Sequence, residues 1–232
     1  MKERPIIFNS DEVRGIIDGR KTMMRRVIKP QPHEIAYRDR YDNEESACFW
    51  RYGEEREDWP RPKDCPYGQP GDRLWVKETT FNVEDHGYVG PVYLQSDRAA
   101  EIIDWGLAPS GDDPAEVDPE DVKLRPSIFM PKKYARIFLE VVGVRVERVQ
   151  EISEEDALAE GIRRIPHGMD GDYFHFSRTE ADPQNWCFPD DAFRELWDKL
   201  YAKRGYGWDA NPWVWCVSFK VINKIEFKQV GG

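Results

Sequence analysis

The sequence has no apolar run approaching the roughly 18 residues that a membrane-spanning helix needs, so no membrane partner is expected. Its first residues, Met1-Lys-Glu-Arg-Pro-Ile-Ile-Phe8, lack the apolar stretch of a secretory leader, and the default expectation is a cytoplasmic location. Cysteine is scarce. Cys48, Cys65, Cys187 and Cys216 are far apart, none forms Cys-x-x-Cys, and no histidine stands at a finger-like spacing. Reduced thiols are expected, the alternative being three or four thiols meeting in space at a metal. His33, His86, His167 and His175 are scattered and build no triad by spacing. There is neither a P-loop nor a dinucleotide-binding glycine pattern, and no cofactor is expected. Basic charge is also short, with 34 Lys and Arg against 44 Asp and Glu and a net charge of −10. That argues against a generic coat for duplex DNA, whose footprint is basic. It leaves room for a small nucleotide or a local RNA contact, because a basic mouth on an acidic body holds one phosphate or base while repelling bulk nucleic acid.

Against these shortages stand a hydrophobic content of 40% and nine Trp, enough for a real core in 232 residues. The chain reads as a single domain over 1–232 with irregular excursions at 30–70, 80–124 and 164–189. Arg4 to Asn9 reads as a short strand. Ser10 to Asp18 reads as a helix capped by Ser10, with Asp11 and Glu12 at the positive end of its dipole. Gln69-Pro-Gly-Asp72 turns the chain into a strand at Arg73-Leu-Trp-Val-Lys-Glu78. From Tyr134 alternation is strongly β, with Gly143 marking a bulge. Ser153 to Gly161 reads as a helix with a capping box from Ser153 to Asp156. In Asp190–Lys203, Phe193, Leu196, Trp197, Leu200 and Tyr201 fall at helical spacing. Trp213, Trp215, Val217, Phe219 and Val221 line one face of a last strand. Between Ala99 and Val122 stand eight acidic residues and no Lys or Arg, which reads as a solvated acidic loop or, alternatively, a lid or partner tail. Few strands mixed with short helices, without regular alternation, predict an α+β fold.

The most informative segment is Gly19-Arg-Lys-Thr-Met-Met-Arg-Arg-Val-Ile28. It holds four basic residues and no acidic one where a helix ends. Gly19-x-Lys21-x-x-Met24-x-Arg26 resembles the signature of the ASCH domain, within the PUA-like superfamily. Three further segments resemble the larger ASCH-like proteins of bacteriophages and prophages: Cys65-Pro-Tyr-Gly-Gln-Pro-Gly-Asp-Arg-Leu-Trp-Val-Lys-Glu78, Arg125-Pro-Ser-Ile-Phe-Met-Pro131 and Trp208-Asp-Ala-Asn-Pro-Trp-Val-Trp215. The resemblance implies a small PUA-like β-barrel with the basic loop at its mouth and the late helices outside.

It also implies a site. Some small ASCH-like proteins resemble amide hydrolases of acylated cytidines that pair the signature lysine and a hydroxyl with a glutamate. Carried over, Lys21 is the base or nucleophile and Glu160 the proton carrier, while Met24 stands where the hydroxyl or carboxylate should be. Thr22 is the nearest substitute. Arginines around Lys21 are expected to weaken its hold on a proton, and a functional surface lysine is expected to contribute little to stability. Glu78 is read as a third acid–base group or a structural ion pair. Arg20, Arg25 and Arg26 are expected at the nucleotide site; Arg25 and Arg26 point to opposite sides of an extended chain, so one faces the pocket as a bidentate phosphate or carbonyl clamp and the other supports the fold. Trp75 and Trp208 are stacking platforms or core, and Asn211 reads a base edge or caps a turn. The resulting reading is an RNA- or modified-nucleoside-binding protein, with hydrolysis of an amide or phosphodiester as a further step. The competing readings are a non-enzymatic RNA- or protein-binding module with a host or phage partner, and a phage assembly factor.

Overall fold

The computed structural model describes residues 1–32, 60–83, 92–93, 122–166, 172–175 and 186–224. The chain enters as β1 (Glu3–Ile7), turns through α1 (Ser10–Ile17) and leaves as β2 (Met23–Val27). There follow β3 (Arg73–Lys77), β4 (Thr80–Val83), β5 (Val92–Tyr93) and β6 (Val122–Arg125). Then come β7 (Ile137–Arg148), α2 (Glu154–Ala159), β8 (Arg163–Pro166), β9 (Asp172–His175), α3 (Pro189–Tyr201) and β10 (Trp213–Lys224). The fold is α+β, as the mixed pattern predicts.

Five strands form the main sheet in the order β1-β3-β7-β10-β2. Only β1 and β3 run parallel. The sheet is open, because β1 and β2 are its edges and do not pair as strands. It nevertheless bends round far enough that Arg26 on β2 donates to the Ile7 carbonyl on β1 at 3.3 Å. The barrel expected from the resemblance is thus a curled sheet whose edges are bridged by a side chain. Gly143 marks an irregularity as expected. Ser218 pairs with Gly143 and Phe219 with Val141, so Val142 is the extra residue and faces solvent.

The last strand is buried on both faces. Trp213, Trp215, Val217 and Phe219 join Ile6, Phe8, Val13, Ile16, Met24 and Leu74. Val214 and Cys216 join Val149, Ala157, Phe193 and Trp197 beneath α2 and α3. The alternation that marked one face therefore understated the strand's burial. Helix α1 is capped by Asn9 and not Ser10: Asn9 Oδ1 accepts from the Glu12 N–H at 2.8 Å, and Glu12 reaches back to the Asn9 N–H at 2.9 Å. Ser153 caps α2, yet the reciprocal half of the expected box is missing because the Asp156 carboxylate is engaged elsewhere.

Two of the excursions carry structure of their own. Strands β5-β4-β6 form a small sheet that overlaps 80–124 and ends at Arg125, and β8 and β9 form an antiparallel pair that starts at Arg163 and overlaps 164–189. The acidic stretch from Ala99 to Asp121, together with His33, His86, His167 and Cys48, lies outside the described residues. No helix among the described residues is long and apolar enough to cross a membrane.

Candidate functional site

Lys21 sits where α1 gives way to β2. The N–H groups of Arg20 and Lys21 both donate to the Gly15 carbonyl, at 2.8 and 3.0 Å, which closes the helix. Two glycines clasp the lysine stem. A Cβ on Gly15 would lie 3.2 Å from Lys21 Cβ, and one on Gly161 would lie 3.3 Å away. Gly161 also has φ +102, a conformation that a side chain disfavours. Lys21 is therefore only 2% exposed.

The basic loop finishes the C-terminus of α2. Thr22 N–H donates to the Ala159 carbonyl at 2.8 Å, Lys21 Nζ to the Glu160 carbonyl at 2.8 Å and Arg20 Nη1 to the Gly161 carbonyl at 2.7 Å. Three successive carbonyls at a helix end thus meet two cations and an amide, the arrangement that the helix dipole favours. The lysine ammonium also reaches Glu160 Oε2 at 2.8 Å and Glu12 Oε1 at 3.7 Å. Its direct ion-pair partners are carboxylates, each shared with an arginine that the sequence set beside it: Glu12 with Arg26 and Glu160 with Arg25.

Arg25 and Arg26 extend the network. The Arg25 side chain is fully buried and meets Asp156 at 2.6 Å, Glu147 at 3.3 Å and Glu160 at 3.5 Å. Arg26 pairs with Glu12 at 3.3 Å and lies over the Phe8 ring at 5.4 Å. Arg145 adds a second contact to Asp156 at 2.6 Å and one to Glu147 at 2.7 Å. Four cations thus face four carboxylates, and the cluster is close to neutral. Burial works against ionising Glu12, but the charges of Arg26 and Lys21 and the Asn9 N–H outweigh it and hold its carboxyl below the ordinary value. At Asp156 burial is likewise overcome by Arg25 and Arg145, and its carboxyl is also lowered. Burial pushes the nearby Cys216 thiol up, well above its ordinary range.

These lowered carboxyls set an expectation for pH. Both release their protons more readily in the folded protein than in the unfolded chain. Their stabilisation is present above the unfolded values and is lost as pH falls through the folded ones. The urea midpoint should therefore be level above about pH 5.5 and decline steadily below about pH 4.5. A midpoint that stays level down to about pH 3 would show that these pairs contribute nothing.

A small cavity opens on this cluster. Glu12, Lys21, Arg25, Arg26 and Glu160 form one side of it. Phe193, Leu196, Trp197, Leu200 and Tyr201 of α3 form the other. Counted with the open solvent it includes, it measures about 260 Å³, but the space inside it has room for only about one water. Trp197 stacks on Tyr201 at 4.2 Å, and its indole N–H is held by the Tyr206 carbonyl at 2.8 Å.

The structure brings Lys21, Glu160, Arg25 and Arg26 together at this cavity, with Arg20 and Thr22 on the loop behind. Thr22 has an exposed side chain, and Met24 is fully buried in the core, so neither places a hydroxyl at the pair. Glu78 does not line the cavity. It is buried in a two-oxygen pair with Arg136, at 2.8 and 3.0 Å, and with burial it helps push the Tyr93 phenol up to about 12. Trp75 packs against the separate cluster of Tyr93, Met130 and Ala135. Trp208 packs edge-on to Phe193 at 6.4 Å beneath α3. Asn211, at φ 42, ends a 3-10 turn and accepts from the Gln150 N–H at 3.2 Å, which is the capping alternative. The residues missed from the sequence are Glu12, Glu147, Asp156 and the α3 aromatics. The capping spacing from Asn9 to Glu12 and the apolar face of α3 were visible, but not that both turn toward Lys21.

No family model and no curated protein matches the chain. Among solved structures it is similar to an ASCH domain from Lactobacillus crispatus JV V101, at 12% identity and TM-score 0.36, over 96% of this chain and 80% of that one. It is also similar to protein EF3133 from Enterococcus faecalis V583, of family model DUF984, at 11% identity and TM-score 0.36, over 100% of this chain and 86% of that one. Likenesses of this depth carry no residue roles to this chain.

Proposed function

We propose that this protein binds a single unpaired base, as a modified nucleoside or within RNA, between the Lys21–Glu160 pair and α3. The observation that carries the reading is that these two residues, 139 apart in sequence, meet at 2.8 Å in one buried cluster opposite an aromatic wall. Charge balance favours a neutral ring read by hydrogen bonds over a free phosphate. Among the described residues the buried Nε–H of Arg25 has no acceptor, and Arg25 lines the cavity, which supports a donor role toward such a ring. Phe193, Trp197 and Tyr201 supply apolar faces for stacking. Entry requires the half-buried Leu196 and Leu200 to swing aside, since the closed void holds about one water.

The contact between Lys21 and Glu160 also favours a second reading, hydrolysis of an acylated cytidine, in which the pair moves a proton. The missing hydroxyl weighs against it. Calorimetric titration with cytidine, an acylated cytidine and duplex DNA separates these readings. Binding of the nucleosides with little salt dependence, and none of the duplex, is expected. Lys21→Arg keeps the charge but cannot deprotonate, so it should retain part of the binding and none of any turnover. Tight duplex binding with a steep salt slope would contradict the proposal.

A further inference from the structure

The segment Arg125-Pro-Ser-Ile-Phe-Met-Pro131 takes no part in the cavity, yet it exposes two large apolar side chains next to each other. Ser127–Phe129 is a 3-10 turn that leaves Phe129 71% and Ile128 58% exposed while Met130 is buried beneath it. Lys77 on β3 ties this turn to the sheet. Its ammonium donates to the Ile128 carbonyl and lies 5.7 Å from the centre of the Trp75 ring. Arg125 and Lys133 flank the Tyr134 ring at 6.0 and 4.8 Å. Trp75 and Tyr134 pack on the same small cluster as Met130, the residue that follows Phe129, so these rings and their cations are neighbours of the exposed turn. Lys132 is left out of this set because it is tied to Glu3. No carboxylate among the described residues pairs with Lys77, Arg125 or Lys133, in contrast to every cation at the cavity. On a chain of net charge −10 the described residues here are a local reversal of sign.

We infer that this face is a second binding surface, for single-stranded nucleic acid, separate from the cavity. Rings interleaved with cations that no described carboxylate neutralises are what an unpaired strand requires: the cations follow its phosphates while a ring takes the face of a base. Phe129 is the stacking ring, because cations already sit over Trp75 and Tyr134. A duplex offers no open base to Phe129. One phenyl and one isoleucine are too little apolar surface to hold a lipid bilayer. The surface also answers a need that the cavity leaves open, since the phosphates of any RNA whose base entered there would find its cations already paired. The inference does not rest on the cavity reading.

Fluorescence anisotropy with a dye-labelled oligouridylate of about a dozen nucleotides tests it. Phe129→Ala, which removes an exposed ring and so leaves folding intact, should weaken binding about tenfold or more. Lys133→Gln should lower the slope of log affinity against log salt by about 0.7. Excess free cytidine should not displace the oligonucleotide. The inference is overturned by unchanged affinity in Phe129→Ala and Lys133→Gln, by full displacement with cytidine, or by binding to anionic lipid vesicles in preference to the oligonucleotide. Cytidine binding that fails while these effects appear would sink the cavity reading alone.

Discussion

Lys21→Ala should make the protein easier to unfold by about 3–5 kcal/mol, the range for removing one partner of a buried ion pair. The sequence alone suggested a surface lysine with little influence on stability, and its 2% exposure reverses that expectation. Without the ammonium, Glu160 Oε2 loses its 2.8 Å partner and the Glu160 carbonyl loses its donor. Among the described residues Arg25, at 3.5 Å from the other oxygen, is then the cation in contact with the buried carboxylate, with Arg26 acting on it from farther off. The stem contacts with Gly15 and Gly161 are lost as well. Lys21→Met keeps the stem and isolates the charge, and it should cost nearly as much. Adding Glu160→Gln to Lys21→Met removes the orphaned charge and should recover a large part of the loss. Urea denaturation followed by tryptophan fluorescence gives these values. A Lys21→Ala midpoint equal to that of the natural chain would mean that the pair is not buried as described.

Arg25→Met should destabilise by a similar amount, about 3–5 kcal/mol, but with a distinct dependence on pH. Among the described residues Arg25 is the one cation that touches Glu147, Asp156 and Glu160 together. Replacing it leaves three carboxylates around an apolar thioether, with Lys21 still on Glu160 and Arg145 compensating Glu147 and Asp156 from the more exposed side. Protonation relieves their repulsion. The difference in urea midpoint between Arg25→Met and the natural chain should therefore be large at neutral pH and narrow toward about pH 4. A difference that is the same at both values would indicate that Arg25 acts through packing and not through charge.

Elements with local signals were legible in the sequence. Helix α1 shows Val13 and Ile16 on one face and a glycine stop, and α3 shows five apolar residues at helical spacing. The strand at β3 follows a glycine turn, and β10 alternates cleanly. The meeting of Lys21 with Glu160 was expected from the resemblance and not from spacing, since nothing local joins residues so far apart. Other features depend on tertiary context. Arg25 and Arg26 alternate along β2 and read as facing opposite ways, yet both line the cavity because their long side chains converge on different carboxylates. Glu12 and Asp156 looked like capping or dipole acids, and only the fold shows them also serving as counter-ions. Glu78 reads as an acid at the end of a strand beside basic residues, but its partner Arg136 comes from a segment 58 residues later. The open sheet is likewise illegible locally, because closure depends on whether two edge strands reach hydrogen-bonding register.

The central claim is that the cavity between the Lys21–Glu160 pair and α3 receives a base. Its most direct measurement is the indole N–H resonance of Trp197 in a two-dimensional NMR titration with cytidine, assigned with Trp197→Phe. That N–H is fixed by the Tyr206 carbonyl and its ring lines the cavity, so ligand entry must disturb it. The account predicts a saturable shift of this resonance that is absent in Glu160→Gln. A Trp197 resonance that stays still at saturating cytidine, or a shift confined to Trp75 on the opposite cluster, would contradict it.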